Sequence, residues 1–296
     1  MSAELRRVDG KPVLRFERLL RHPPAKVWRA VTEPGELAHW FPAAVAVDGR
    51  ALRFTFPDGG GNGGEVLESD PPKVFAFRWH TDVLRFELLP HDDGTLLVFT
   101  HVLSAEPSAG RTAAGWDACF GALEASLAGE DFTRPTDWLG PMERYVREFG
   151  LDEGHADGTT VRFVRDLVWK PLDEVWALFT EGSADLPVRA ANPHVPPGPV
   201  TAREEPGLLA FDSPTGRVRW EFRHDPDQGT TVELTHAVRD PGFVPTALAA
   251  WHVHLELFFA ATFGEVRCPW PADRVAELTD RYARRASGAA VSRASD

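Results

Sequence analysis

Residues 51–103 alternate apolar and polar side chains in short runs, and residues 116–127 abandon that alternation for a longer period. In ALRFTF, Leu52, Phe54 and Phe56 share one face against Arg53 and Thr55; in VFAFRW, Phe75, Phe77 and Trp79 do; in LRFEL, Leu84, Phe86 and Leu88 do. A period of two marks a strand with one buried face. Residues 95–103 form the last such strand, with Leu97, Phe99, His101 and Leu103 on a common side. Trp116, Phe120, Leu123 and Leu127 then fall at intervals of 4, 3 and 4, a single apolar stripe along a helix. Ahead of these strands, residues 13–20 read as a strand broken by Pro23-Pro24. AKVWRAVTE reads as a short helix stopped by Pro34, and LAHWF from Leu37 suggests a further helical turn. Another helix is expected around residues 142–149.

The same order then recurs. Residues 13–33 and 161–181 share seven identities at an offset of 148: Val13, Leu19, Pro23, Val27, Trp28, Thr32 and Glu33. At an offset of 134, Val66, Pro72, Ala76 and Phe77 meet Val200, Pro206, Ala210 and Phe211; at 135, His101 and Trp116 meet His236 and Trp251. A period this long is that of a whole domain rather than of a solenoid repeat. The expected organisation is a first domain over 1–150, a linker over 151–159, a second domain over 160–286 and a disordered tail over 287–296. The offset drops by 14 between Glu33 and Val66, where the second copy has only the proline-rich SADLPVRAANPHVPPGP. Proline disfavours an inner hairpin, so the second sheet is expected to lack one.

Composition narrows the function classes. The net charge of -12, with no basic cluster beyond Arg284-Arg285, removes the electrostatic drive for nucleic-acid binding. The first residues contain no apolar signal core, and no stretch approaches a membrane span, so a cytoplasmic protein without membrane insertion is expected. Cys119 and Cys268 are the only cysteines, too few for a disulfide framework or a thiolate metal site. No cofactor is expected. DGGGNGG from Asp58 lacks the Lys-Ser/Thr of a phosphate loop and reads as a hairpin tip.

The strand–helix–strands–long helix order is an α+β layer solution. Together with VLRFERLLRHPPAKVWRAVTEPGELAHWF, the DPP before VFAFRW, and GTLLVFTHVL before GWDACFGALEASLAGE, it resembles the Hsp90 ATPase activator C-terminal-domain family. That family lies within the START-like, helix-grip (SRPBCC) superfamily. The resemblance is close over 13–150 and weaker over 160–285. It implies two helix-grip domains, each an antiparallel sheet curled around a long C-terminal helix, with an apolar cavity between them and a small apolar or amphipathic ligand inside. It does not imply a reaction. The family's co-chaperones carry a further N-terminal domain that nothing here resembles, so a chaperone partner is doubtful.

Within this frame the ligand-contacting candidates of the first domain are Phe54, Phe77, Trp79, Phe86, His101, Trp116, Cys119, Phe120 and Leu123. Those of the second are His236, Trp251, His254, Leu255 and Phe258. His101 and His236 occupy inward strand positions and could act as general acid or base in a cyclase, hydrolase or isomerase; the competing reading is a buried imidazole bonded at a strand end. Trp116 and Trp251 could stack on a ligand or simply fill the core. His254 replaces Cys119 beside the helix stripe. His252 and His254 do not form a metal site, since positions i and i+2 diverge on a helix, and no metal is expected. A third reading, a protein-interaction module, expects a closed cavity and an apolar surface patch around Trp40-Phe41.

Overall fold

The computed structural model describes residues 3–57, 59–181 and 188–293. It divides into two units, 1–149 and 150–296. In the first, eight antiparallel strands form one sheet in the order β1-β2-β8-β7-β6-β5-β4-β3. The strands are β1 (Glu4–Val8), β2 (Lys11–Leu20), β3 (Ala44–Asp48), β4 (Ala51–Thr55), β5 (Gly61–Asp70), β6 (Val74–Trp79), β7 (Asp82–His91) and β8 (Gly94–Val102). Helices α1 (Pro24–Thr32) and α2 (Pro34–Leu37) follow β2; α3 (Ala109–Ala128) and α4 (Leu139–Glu148) follow β8. The expected alternation is visible as burial: Leu52, Phe54, Phe77, Leu84, Phe86, Leu97 and Phe99 all face inward. Onto that face α3 lays its stripe. Phe120 meets Phe16 edge-on at 5.3 Å and Trp116 meets Phe99 at 4.6 Å between ring centroids. Each such fully buried aromatic contributes about 2–3 kcal/mol of transfer free energy, and α3 ends at Gly129, which takes the left-handed conformation (φ 73°) of a helix C-cap.

The second unit repeats this with fewer strands. Its sheet runs β11-β12-β13-β14-β10-β9, built from β9 (His155–Asp157), β10 (Thr160–Asp166), β11 (Val200–Glu204), β12 (Leu208–Ser213), β13 (Gly216–Asp225) and β14 (Gly229–Val238). Helix α5 (Leu172–Thr180) matches α1, α6 (Val244–Thr262) matches α3, and α7 (Ala272–Arg293) matches α4. Repeated residues make repeated bonds. Thr32 and Thr180 bond back to the Trp28 and Trp176 carbonyls, and Thr95 and Thr230 to those of His22 and Lys170. The pairing of β5 with β6 shifts register between Val66 and Glu68, and that of β11 with β12 between the matching Val200 and Ala202. β11 is therefore the counterpart of β5, and among the described residues the second sheet has no counterpart of the β3–β4 hairpin.

Several sequence expectations are corrected. The helical turn expected from Leu37 is present, with the Phe41 amide bonded to the Leu37 carbonyl at 2.8 Å, but it is preceded by the unexpected turn α2 over 34–37. Of the glycines read as a hairpin tip, Gly59 and Gly60 form the turn between β4 and β5, whereas Gly61, Gly63 and Gly64 pair in β5 with Thr55, Arg53 and Leu52. A Cβ on Gly64 would stand 2.2 Å from the Arg78 carbonyl and 2.8 Å from the Phe54 ring, so close strand approach is why glycine is there. Asp58 itself lies outside the described residues. β1 was hidden because its residues are largely exposed and carry no inward alternation. The stretch read as a linker holds β9 and the buried Asp152. The tail read as disordered continues α7 to Arg293, and 294–296 lie outside the described residues. Trp40 and Phe41 are 0% and 4% exposed, which removes the surface patch expected there. Trp40 instead donates its indole N–H to the Ala30 carbonyl at 2.8 Å.

Among the described residues one helix, residues 241–262, is long and apolar enough to cross a membrane, but it is mostly buried within its own domain. It is a core helix.

Candidate functional site

In the first domain α1 and α2 stand over the end of the sheet where the β3–β4 hairpin adds two strands. The gap between them is a small apolar cavity of about 20 Å³, room for about one water. Val31, Thr32 and Leu37 line it from the helices, Val45, Val47, Leu52 and Phe54 from the hairpin, and Phe75, Phe77 and Phe86 from the sheet, with Phe41 closing one side. Val47, 47% exposed, marks the outer wall. Of the residues singled out from sequence, Phe54, Phe77 and Phe86 meet here. Trp79 sits beside them, stacked on Phe54 at 4.9 Å and held by a 2.6 Å bond from its Nε1 to Asn62 Oδ1.

His101, Trp116, Cys119, Phe120 and Leu123 do not line this cavity. His101, Trp116 and Phe120 form the packed seam between β8 and α3, and Cys119 and Leu123 are buried on α3. Trp116 Nε1 donates to His101 Nδ1 at 2.9 Å, and His101 Nε2 donates to Asp82 Oδ2 at 2.9 Å. Asp82 Oδ1 also accepts the Ser104 amide at 2.9 Å. Burial alone would raise the Asp82 carboxyl, yet the bonds from His101 and Ser104 hold it below the usual range. Both nitrogens of His101 are engaged, so neither is free to act on a substrate. Burial pushes the Cys119 thiol up to about 11, which keeps it unreactive.

The second domain repeats the seam. Trp251 Nε1 donates to His236 Nδ1 at 3.1 Å, and His236 Nε2 faces Thr215 Oγ1 at 3.3 Å. Thr215 and Gly216 lie where the first domain has Asp82. Without a carboxylate there, burial lowers His236 to about 4. Where the hairpin is missing, residues 190–195 fill the space. Ala190 and Val195 are fully buried. His254 Nε2 donates to the Arg189 carbonyl at 2.7 Å and Trp220 Nε1 to the Ala190 carbonyl at 3.1 Å, which bolts the segment against α6 and the sheet. Burial lowers His254 to about 4, so it stays neutral and keeps its donating N–H. Leu255 and Phe258 are buried core, Phe258 packing edge-on against Phe179 at 5.9 Å.

One cluster escaped the sequence reading. His252, Asp152 and Glu256 converge at the back of α6, with Arg274 and Tyr282 of α7 around them. Burial would raise Glu256, but His252 and Arg274 hold it down at about 2. His252 and Glu256 lie one turn apart on α6, an i, i+4 spacing readable from sequence; Asp152, a hundred residues earlier, was assigned to a linker. The cavity lining from α1 and β3 was also missed, although the 14 residues absent from copy two pointed to that hairpin.

Residues 21–128 match the family described as "Activator of Hsp90 ATPase homolog 1-like protein". No curated protein matches the chain. Among solved structures, a conserved protein of unknown function from Enterococcus faecalis is 22% identical, covering 49% of this chain and 89% of its own, with a TM-score of 0.45. A protein from Mesorhizobium loti is 27% identical, covering 40% and 99%, at 0.36. CalU16 from Micromonospora echinospora is 18% identical, covering 50% and 91%, at 0.40.

Proposed function

We propose that the first domain, a helix-grip domain resembling the Hsp90 ATPase activator family, binds a small, largely apolar ligand between α1–α2 and the β3–β4 hairpin. The observation that carries this is the wall itself: ten apolar residues and Thr32 line one cavity. At about 20 Å³ the cavity holds no ligand of useful size until the edge hairpin moves outward. An edge hairpin is the cheapest part of such a sheet to move, since its backbone pairs with β5 alone. The second domain, which among the described residues has no such hairpin and packs its own segment 190–195 against the sheet, serves stability rather than binding. Binding without turnover is supported by His101, whose two ring nitrogens are both committed to Trp116 and Asp82. A cytoplasmic location goes with this reading, supported by two free cysteines, one of them exposed.

The test is native mass spectrometry of the purified protein combined with titration by an environment-sensitive apolar fluorophore. A co-purifying apolar molecule, or saturable fluorophore binding abolished by the cavity-filling Leu52→Trp and unaffected by Phe258→Leu, supports the reading. A clean protein mass with no saturable uptake overturns it and favours the protein-interaction reading, which expects a closed cavity.

A further inference from the structure

The second domain carries a group of metal-ligating side chains with no role in the cavity. His252 is 2% exposed, and its Nε2 stands 3.3 Å from Asp152 Oδ2 and 3.3 Å from Glu256 Oε1. The ring N–H direction is satisfied by neither: Nε2 is buried without a hydrogen bond of good geometry. The three donor atoms lie within 4.8 Å of one another. Bonds of about 2.0–2.2 Å from imidazole and carboxylate to a tetrahedral ion place ligand atoms about 3.3–3.5 Å apart. The separations of Nε2 from the two carboxylates therefore match those of ligands on a common ion, and poorly match two well-made hydrogen bonds.

The surroundings fit the same purpose. His252 Nδ1 is 2.9 Å from the Tyr282 hydroxyl, which also accepts the Gly154 amide at 3.2 Å. With its proton on Nδ1 and given to that oxygen, the imidazole turns a lone pair toward both carboxylates, the arrangement by which an outer partner sets the tautomer of a metal-bound histidine. Arg274 grips Glu256 through Nε to Oε2 at 2.9 Å and Nη2 to Oε1 at 2.5 Å, orienting the carboxylate as outer partners of ligating carboxylates do. The first domain has no such set: Asp117 stands in place of His252 and is taken by Arg18, Arg144 and Tyr145, and Gly121 stands in place of Glu256.

We infer that Asp152, His252 and Glu256 bind one divalent transition-metal ion, with the nitrogen-plus-two-oxygen set of a zinc-like cation, tying the first residues of the second domain to α6. One imidazole among hard oxygens favours a borderline ion such as Zn²⁺ or Co²⁺ over Mg²⁺ or Ca²⁺.

The experiment loads chelator-treated full-length protein with Co²⁺ or Zn²⁺, removes excess by gel filtration and counts bound metal by elemental analysis, with visible d–d absorption reporting the Co²⁺ ligand field. The expected result is one ion per chain, a Co²⁺ spectrum that Zn²⁺ erases, and no retention of Mg²⁺ or Ca²⁺. Asp152→Asn and His252→Gln should abolish retention. Tyr282→Phe should weaken it by about tenfold or more while the three ligands remain, and Asp117→Asn in the first domain should leave it unchanged. Absence of retained metal in the wild-type protein overturns the inference, since the wild type needs no substitution to fold; His252 is then an imidazole sharing its proton between two carboxylates under the Arg274 clamp. Retention that survives both Asp152→Asn and His252→Gln overturns it equally.

Discussion

Trp116 donates its indole N–H in a hydrogen bond to Nδ1 of His101 at 2.9 Å, and that single bond decides what the imidazole can do. A neutral ring whose Nδ1 accepts must carry its proton on Nε2, and Asp82 takes that proton's hydrogen bond at 2.9 Å. The pair recurs as Trp251 and His236 at 3.1 Å. In both domains it joins the last strand to the long helix, so its role is to fix helix to sheet.

Removing the acceptor should therefore cost stability and spare binding. His101→Ala leaves a buried indole N–H unpaired and a small void, an expected loss of about 2–4 kcal/mol. Trp116→Phe combined with it should cost less than the two singles added, because they share one bond. Urea titrations of the four proteins of the cycle measure this; strict additivity would show that the bond carries nothing.

Acid should weaken the second domain before the first. His236 and His254 are held at about 4 when folded, against about 6.5 unfolded, so the unfolded chain binds more protons below pH 6.5. Their contribution is complete above pH 6.5 and is lost as pH falls toward 4, by about 3 kcal/mol each at most. Asp82 acts in the same sense but in a lower window: lowered when folded, it stabilises the first domain above the ordinary carboxylate range and loses that effect only as pH falls below about 4. Calorimetry between pH 7 and pH 4 should show the second domain's transition falling the faster; equal shifts would contradict it.

Gly64→Ala should damage the first domain alone. The added Cβ meets the Arg78 carbonyl at 2.2 Å, too close for adjustment by side chains. The expected cost is about 1–3 kcal/mol, with faster amide exchange in β3, β4 and β5 and weakened fluorophore binding. Gly115→Ala, whose Cβ would meet nothing within 4 Å, is the control and should be neutral or stabilising.

The segment that fills the second domain should loosen when its two bolts are removed. Trp220→Phe and His254→Phe each leave a buried backbone carbonyl unpaired, at about 1–3 kcal/mol. Hydrogen exchange over residues 190–195 should accelerate in both. Protection equal to wild type would mean that Ala190 and Val195 are held by packing alone.

The order of elements was readable from the period of apolar residues, and the duplication in part from Thr32 and its partner Thr180, whose hydroxyls make the same bond twice. The loss of a hairpin from copy two was readable because a change of offset leaves a gap of definite length. The place of the cavity was not. Phe54, Phe77, Phe86, Trp116 and Phe120 share one inward face, and periodicity does not distinguish a side chain that lines a gap from one that fills it. The exposed β1 and the glycine-rich start of β5 escaped for a related reason: they are strands by pairing, with little burial pattern to betray them. Asp152 lay beyond reach because its partners are a hundred residues away.

The tyrosines of the two trailing helices share one more habit. Tyr145 accepts the amide of Ala3, and Tyr282 that of Gly154, so in each domain the closing helix is stitched to the opening residues. A fold whose beginning and end meet can be copied in line, or its ends rejoined elsewhere, without disturbing what lies inside. Duplication demanded little of this architecture beyond keeping each stitch with its own copy. A second domain cut out for separate expression must start before Asp152, not at the repeat's first strand, or it will leave its own fastening behind.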